Sequence, residues 1–269
     1  MCTDYPPVIV LMTDFGLTDT FVGQMKGVII SLAPFAQIID LTHAITPQNV
    51  VQGAFLLAKS ICFFPERSIF ISVVDPGVGT VRKAIAVETD SQTFLAPDNG
   101  LLTGIFLTQT VKRCVSITEE QYMLSLRSST FHGRDVFSPI AAHIASGVPL
   151  TALGNDVDLS DCVKIIMPEC HTGDQGLSWN GSIIYTDHFG NLVTSVDAAL
   201  LDERKQWVAS VRDCEHIPVV NTYGDARNQQ ALAYAGSSGM IEIAVRNGNA
   251  SRTLGLLDGD GVTISAILV

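Results

Sequence analysis

The stretch "SVVDPGVGTVRKAIAV" (residues 72–87) decides the fold. It begins and ends as an apolar, β-branched strand of the kind a sheet buries. Between the two runs stand Asp75, Pro76, Gly77 and Gly79, then Arg82. Pro and Gly make a rigid turn. An acid and a base are thus set seven positions apart between two strands that belong in a core.

Working outward, strand and helix signals alternate. "VIVLMT" (8–13) is a buried strand run, residues 20–33 read as a helix stopped before Pro34, and "AQIIDL" (36–41) is a second strand. Thr46 and Pro47 form an N-cap and N1 pair for a helix reaching about Ser60. "SIFISVV" (68–74), "KAIAVET" (83–89) and "TFLAP" (93–97) follow as strands. Asp98-Asn99-Gly100 leads into a short helix at 101–107, and 135–147 is a helix with Pro139 in its first turns and Gly147 at its stop. This order predicts an α/β domain with a layered, mostly parallel sheet over residues 1–167. Residues 168–178 are polar and rich in Gly and Pro and read as a linker. Residues 179–269 carry short strands and turns, "GSIIYTD", "NLVTSV", "QWVASV", "IPVV", "MIEIAV" and "GVTISAILV", with Asn247-Gly248 as a turn signal. They predict a small antiparallel β domain, a barrel or a sandwich.

Bulk properties exclude several classes. The 269 residues are 47% hydrophobic and 16% charged, as in a globular protein with an ample core. A formal net charge of −11 argues against a nucleic-acid surface. No run of 18 apolar residues exists, so no membrane-spanning helix is expected. The N-terminal run has no basic residues before it and reads as a strand, not a signal peptide. The six cysteines are scattered without a CxxC pair, which reads as reduced thiols in a cytoplasmic protein. There is no HExxH and no Cys/His cluster, so no metal site is expected.

Polar residues recur where apolar strands end. Thr13, Asp14, Gly16 and Asp19 follow the first strand, Asp40 and His43 the second, and Asp75 the third. In an open α/β sheet, ligands bind outside the carboxyl ends of the strands. Each acid alone is equally a cap or turn residue; three in succession point to a site. No GxGxxG and no GxxxxGK[ST] occurs. "FHGRD" (131–135) places His132 on a tight turn before a helix, with Arg134 and Asp135 read as solvated and capping. In the second half, "YTDHFGNLVTS" groups Asp187, Phe189 and Asn191, a set suited to an amine and a flat heterocycle. Ser237-Ser238-Gly239 and Arg246-Asn247-Gly248 are further turns.

Together these segments, from "MTDFG" through "PDNGLLT" and "FHGRD" to "HFGNLVT" and "RNGNAS", resemble the S-adenosyl-L-methionine hydroxide adenosyltransferases, relatives of the fluorinase and chlorinase. The resemblance runs almost the whole chain. It implies cleavage of S-adenosylmethionine by water at the ribose C5′, giving adenosine and methionine, without metal or other cofactor. It implies an α/β N-terminal domain, a β-barrel-like C-terminal domain, and a homotrimer with sites at subunit interfaces. Asp75, Arg82 and His132 match the set that marks the hydroxide-using members, which the halogenases lack; Gly133 stands where the fluorinase has Ser. By the same matching, Asp14 binds the ribose hydroxyls with Asp19 nearby, Asp187 meets the methionine amine and Ser237 its carboxylate. Asn191, Arg246 and Gly248 hold the adenine edge, the last two through their backbone, and Phe189 and Tyr223 contact its faces. Ser238 departs from the pattern, since the fluorinase has Arg there. The weighed alternatives are a halide-dependent adenosyltransferase and a non-catalytic binder of adenosine or S-adenosylmethionine.

The implied chemistry makes physical sense. The sulfonium already activates C5′, and methionine leaves as a neutral thioether. An arginine beside Asp75 weakens that acid as a base, and water away from a metal is a very weak acid. The expectation is therefore that Asp75 and His132 orient the water and accept its proton late, while Arg82 holds Asp75.

Overall fold

The computed structural model describes residues 6–267. The chain divides into two compact units, Met1–Met167 and Pro168–Val269.

The first unit is a seven-stranded mixed sheet. Its strands are β1 Val8–Thr13, β2 Gln37–Thr42, β3 Ile69–Val73, β4 Ala84–Thr89, β5 Thr93–Pro97, β6 Val111–Ile117 and β7 Gly154–Asp156, in the order β2-β1-β3-β5-β4-β6-β7. β2, β1, β3 and β5 pair in parallel, and β4, β6 and β7 add on antiparallel, so that β4 and β7 alone run against the rest. The helices are α1 Phe21–Leu32, α2 Val50–Ser60, α3 Thr103–Thr108 and α4 Ser138–Ala145. Strand side chains alternate between faces. Ile9 and Leu11 therefore pack with Met25 and Ile29 of α1 and Ile140 of α4, while Val10 and Met12 pack with Leu57 of α2 and Ile105 of α3. Both sheet faces are covered, which is why β1 and β3 read as unbroken apolar runs.

The 72–87 stretch joins β3 to β4, but the two strands are not neighbours, because β5 inserts between them. The chain reverses across the width of one strand, and the reversing loop stands at the carboxyl edge of the parallel strands.

The second unit is an antiparallel sheet nearly closed into a barrel. Its strands are β8 His171–Gly173, β9 Ser178–Thr186, β10 Leu192–Asp197, β11 Trp207–Val211, β12 Cys214–Pro218, β13 Ala231–Ala235, β14 Met240–Val245 and β15 Gly261–Ala266, with one short helix, α5 Ala250–Leu254. The order β12-β11-β15-β9-β10-β14-β13 brings its two ends together through a bridge from Val219 to Ala233. Ile183, Leu192, Val196, Trp207, Ile243 and Ile264 fill the interior.

Several expectations need correction. The expected linker 168–178 carries β8, which pairs with β9 inside the second unit. The second helix does not start at Thr46-Pro47: Gln48 takes a left-handed φ of 67°, and Asn49 is the N-cap, accepting from Gln52 N. β6, β7 and α5 were not foreseen; in β6, Lys112 and Arg113 interrupt the apolar pattern. Asn247-Gly248 forms the expected turn, which leads from β14 into α5. Of the expected last strand, β15 covers 261–266, and residues 268–269 lie outside the described residues, as does Cys2. The five described cysteines are free thiols. No helix among the described residues is long and apolar enough to cross a membrane.

Candidate active site

Asp75 stands two residues beyond β3 and opens a turn closed by Val78 N donating to Asp75 O. Gly79, at φ 79°, passes so close to Ser129 that an added Cβ would stand 2.7 Å from its carbonyl oxygen. That contact lays the loop against the segment leading to His132. Arg82 then turns back on Asp75. Its Nε donates to Oδ1 and Oδ2 at 3.0 and 2.9 Å, and its Nη2 donates to Oδ2 as well. The pair is buried, with side chains 9% and 4% exposed for Arg82 and Asp75. Asn99, after β5, donates from Nδ2 to Val74 O at 2.8 Å and fixes the backbone just before Asp75.

Arg82 Nη2 also reaches His132 Nδ1 at 2.8 Å. A guanidinium has no acceptor, so Nδ1 accepts and is unprotonated, and the hydrogen of the neutral ring sits on Nε2. Burial first, and then the Arg82 charge, hold the His132 pKa below the ordinary imidazole value. With its Nδ1 lone pair engaged by Arg82, the neutral His132 ring keeps a donor, Nε2–H, and no free acceptor. The turn bearing His132 leads into one π-helical turn, Gly133–Phe137, a distortion frequent at functional sites. Asp135 is fully buried, not a solvated cap: it accepts from Ser128 N at 2.7 Å and from Arg134 Nε at 2.6 Å. It thereby fixes the segment that Gly79 packs against.

Asp14 stands one residue beyond β1. Its Oδ2 accepts from Gln48 N at 2.8 Å, which is what the left-handed Gln48 accomplishes. His43, 4% exposed, clamps this loop twice. Its carbonyl accepts from Gly16 N at 2.7 Å, and its Nδ1 meets Thr13 Oγ1 at 2.8 Å. Asp40 Oδ1 lies 3.1 Å from His43 Nε2, so Nε2 donates there and Nδ1 accepts from the Thr13 hydroxyl. Phe15 and Phe131, the neighbours of Asp14 and His132, meet edge to face at 5.8 Å between centroids. The first unit thus gathers Asp14, Asp75, Arg82 and His132 at one sheet edge. Asp19 lies exposed on the loop after Asp14.

In the second unit, the β9–β10 hairpin turns on Asp187. Its Oδ1 accepts from Phe189 N at 2.9 Å and Asn191 N at 2.7 Å. Gly190 at φ 87° leaves room for the Asn249 side chain, and its carbonyl accepts from Ser251 N, so the "HFGN" and "RNGN" turns lie together. Phe189 is 74% exposed, Tyr223 is 37% exposed, and Asn191 is buried. Tyr223 Oη donates to Val245 O at 3.1 Å and accepts from Asn247 N at 2.7 Å, which leaves its ring face presented. Arg246 turns its guanidinium onto the carbonyls of Gly224 and Ala226, and its N–H donates to Gln230 O. It shapes the Tyr223 loop, and its N–H is engaged there. Gly248 N donates to Val245 O within the turn.

Ser237 and Ser238 occupy the β13–β14 turn at the opposite end of these strands, and Ser238 Oγ is buried without a hydrogen-bond partner. Between the two ends lie Tyr234 and Glu242, joined by a 2.8 Å bond from the phenol to the carboxylate. Burial raises the pKa of both groups. Neither residue was foreseen: both sit inside apolar strands, and their role shows only once β13 and β14 pair Tyr234 with Glu242. The roles of Asn99 and Gln48 were missed for a related reason, since each works through a backbone atom that only the fold brings close. Among the described residues no group of three or more His, Cys, Asp or Glu could hold a metal ion.

Comparison with known proteins identifies what the chain is similar to. Residues 9–154 match the profile of the SAM hydroxide adenosyltransferase N-terminal domain, and residues 181–263 match that of the C-terminal domain. A Salinispora tropica protein named (R)-S-adenosyl-L-methionine hydrolase is 35% identical over 97% of this chain and 98% of its own. A fluorinase from Actinopolyspora mzabensis is more distant, at 25% identity over 96% and 97% of the two chains. The crystal structure of an uncharacterized conserved protein from Thermotoga maritima superposes with a TM-score of 0.86 at 35% identity, covering 96% of this chain and 99% of that one.

Proposed function

The chain belongs to the SAM hydroxide adenosyltransferase family, and we propose from that premise how its residues divide the work. It is an enzyme that hydrolyses S-adenosyl-L-methionine to adenosine and L-methionine. The observation that carries the mechanism is the convergence of Asp75, Arg82 and His132, with Arg82 bonded to both partners.

A water oxygen attacks C5′ in line with the C–S bond. As the C–O bond forms, the C–S pair withdraws onto sulfur and methionine departs as a neutral thioether. His132 holds the water by donating from Nε2, which leaves its second lone pair for carbon. Asp75 takes the water's proton. Because Arg82 stabilises the carboxylate, that transfer comes late, when the attacking oxygen has acquired its acidic, bonded character. Positioning contributes most, up to about 7–11 kcal/mol in favourable cases, and general-base help adds about 10²–10⁴-fold. No step calls for a metal or cofactor, since the leaving group is already cationic.

Asp14, with Asp19 beside it, takes the ribose hydroxyls. Asp187 takes the substrate's ammonium and Ser237 its carboxylate, with the unpartnered Ser238 hydroxyl standing where a second donor is wanted. Phe189 and Tyr223 cover the adenine faces, and Asn191, Gly248 and the Arg246 carbonyl meet its edge. Each unit carries half of these groups. We therefore propose a homotrimer in which the α/β unit of one copy completes its site with the barrel of the next. The five free cysteines support a reducing, cytoplasmic setting.

Incubation with S-adenosyl-L-methionine in ¹⁸O-water, with and without chloride, tests the reading. The expected products are methionine and adenosine labelled at the 5′-oxygen, with no halide requirement. Adenine, methylthioadenosine or a 5′-halogenated nucleoside contradicts it.

A further inference from the structure

Asn191 is 8% exposed, and both hydrogens of its amide are committed to the protein. Nδ2 donates to Asp187 Oδ2 at 3.1 Å and, over a longer 3.4 Å, to Tyr234 Oη. Tyr234 spends its own hydrogen on Glu242 Oε2 at 2.8 Å. The sense of this chain is forced. An ionised carboxylate only accepts, so Glu242 draws the phenol hydrogen toward itself and leaves Tyr234 Oη as an acceptor. Asp187 also only accepts. The amide must therefore turn its NH₂ toward both partners. With its nitrogen turned toward Asp187 and Tyr234, the amide turns Oδ1, its acceptor, away from both.

We propose that Glu242 and Tyr234 are positioning residues that fix Asn191 as an acceptor, and so select a substrate whose base carries an exocyclic amino group over one with a carbonyl there. This rests on the reading that the base lies against Asn191. A 6-aminopurine donates from its amino group to Oδ1. A 6-oxopurine brings a lone pair against a lone pair, and the amide cannot flip without facing its oxygen to Asp187 and stranding its hydrogens. A polar site wired in one sense rejects the opposite partner strongly, because the mismatched groups are left buried and unpaired.

The test compares kcat/KM for S-adenosyl-L-methionine and its hypoxanthine-base counterpart in the full-length protein. The wild type should favour the amino substrate by about a hundredfold or more. Tyr234→Phe and Glu242→Leu should each narrow that ratio by about tenfold or more. Glu242→Gln, whose Oε1 still accepts from Tyr234, should keep it within about threefold of wild type. An unchanged ratio in Tyr234→Phe, or a wild type indifferent to the base, overturns the proposal. A wild type that cleaves neither substrate overturns the hydrolase reading itself, a different failure. A second measurement needs no variant: both Asn191 Nδ2 hydrogens should be protected from exchange in the free protein, and fast exchange of either contradicts the relay.

Discussion

The two units present their polar groups in opposite ways. In the α/β unit, the reacting groups are buried charges: Asp75 and Arg82 are 4% and 9% exposed, and each is tied to something else that is fixed. In the barrel, the groups assigned to the base are one buried amide, Asn191, with turn backbone and open rings, Phe189 being 74% exposed. The first half resembles a finished mechanism that needs a substrate to act on. The second resembles a surface that becomes a pocket when something covers it. Chemistry needs a fixed charge pattern before the substrate arrives, because reorganising it during the reaction raises the barrier. Recognition of a flat ring tolerates an open face, because the ring supplies its own cover. Changes in the first half should therefore cost stability and turnover together, and changes in the second should cost affinity alone.

Arg82→Ala should be the most severe test of that contrast. It leaves the Asp75 carboxylate buried without its partner, which costs about 3–5 kcal/mol of folding stability, and turnover should fall by about a thousandfold or more as the acid and His132 lose their shared anchor. Adding Asp75→Ala to that variant should recover stability in a melting experiment while activity stays lost. A variant that melts like wild type would put the ion pair outside the core. Next in size, Asp14→Ala should raise KM for S-adenosylmethionine by about tenfold to a hundredfold. His43→Ala should follow it more weakly, because it loosens the Asp14 loop without touching the ligand; equal effects on kcat and KM would contradict this assignment.

A pH titration comes third. The folded-state pKa of His132 lies below 6.5, lowered by burial and then by Arg82. Between 6.5 and that lower value the unfolded chain binds a proton that the folded chain does not. The stability owed to neutral His132 is thus complete above 6.5 and is lost as pH falls through the folded value. Activity should hold at pH 6.5 and decline below it, and NMR should place the His132 transition under 6.5, moving upward in Arg82→Ala. A His132 that titrates above 6.5 would mean that Nδ1 is not accepting from Arg82. Smallest of all, Phe189→Ala should raise KM by a few-fold with an unchanged melting temperature, as an exposed ring contributes to binding and little to folding.

The sheet was legible in the sequence where burial on both faces made it so. "VIVLMT" and "SIFISVV" are continuous apolar runs with strand-end acids after them, and Asp14 and Asp75 stand where those strands stop. The triad was legible as a set of motifs joined by resemblance, because Asp75 and Arg82 share one turn while His132 is fifty positions further along. What stayed hidden was pairing across the fold. Nothing local shows that Asn99 will hold the Val74 carbonyl or that Gln48 will turn left-handed to reach Asp14. The protonation sense of His132 was likewise invisible until Arg82 was seen on Nδ1, the contact that leaves the neutral ring a donor and no free acceptor.

The most direct measurement is the single-turnover rate of Asp75→Asn with S-adenosylmethionine, alongside its dissociation constant. Asn keeps the shape of the side chain and removes the carboxylate assigned here to take the water's proton. The rate should drop to about a thousandth of wild type or less, with a dissociation constant within about threefold of wild type. Wild-type turnover in that variant with substrate still bound would contradict the account at its centre.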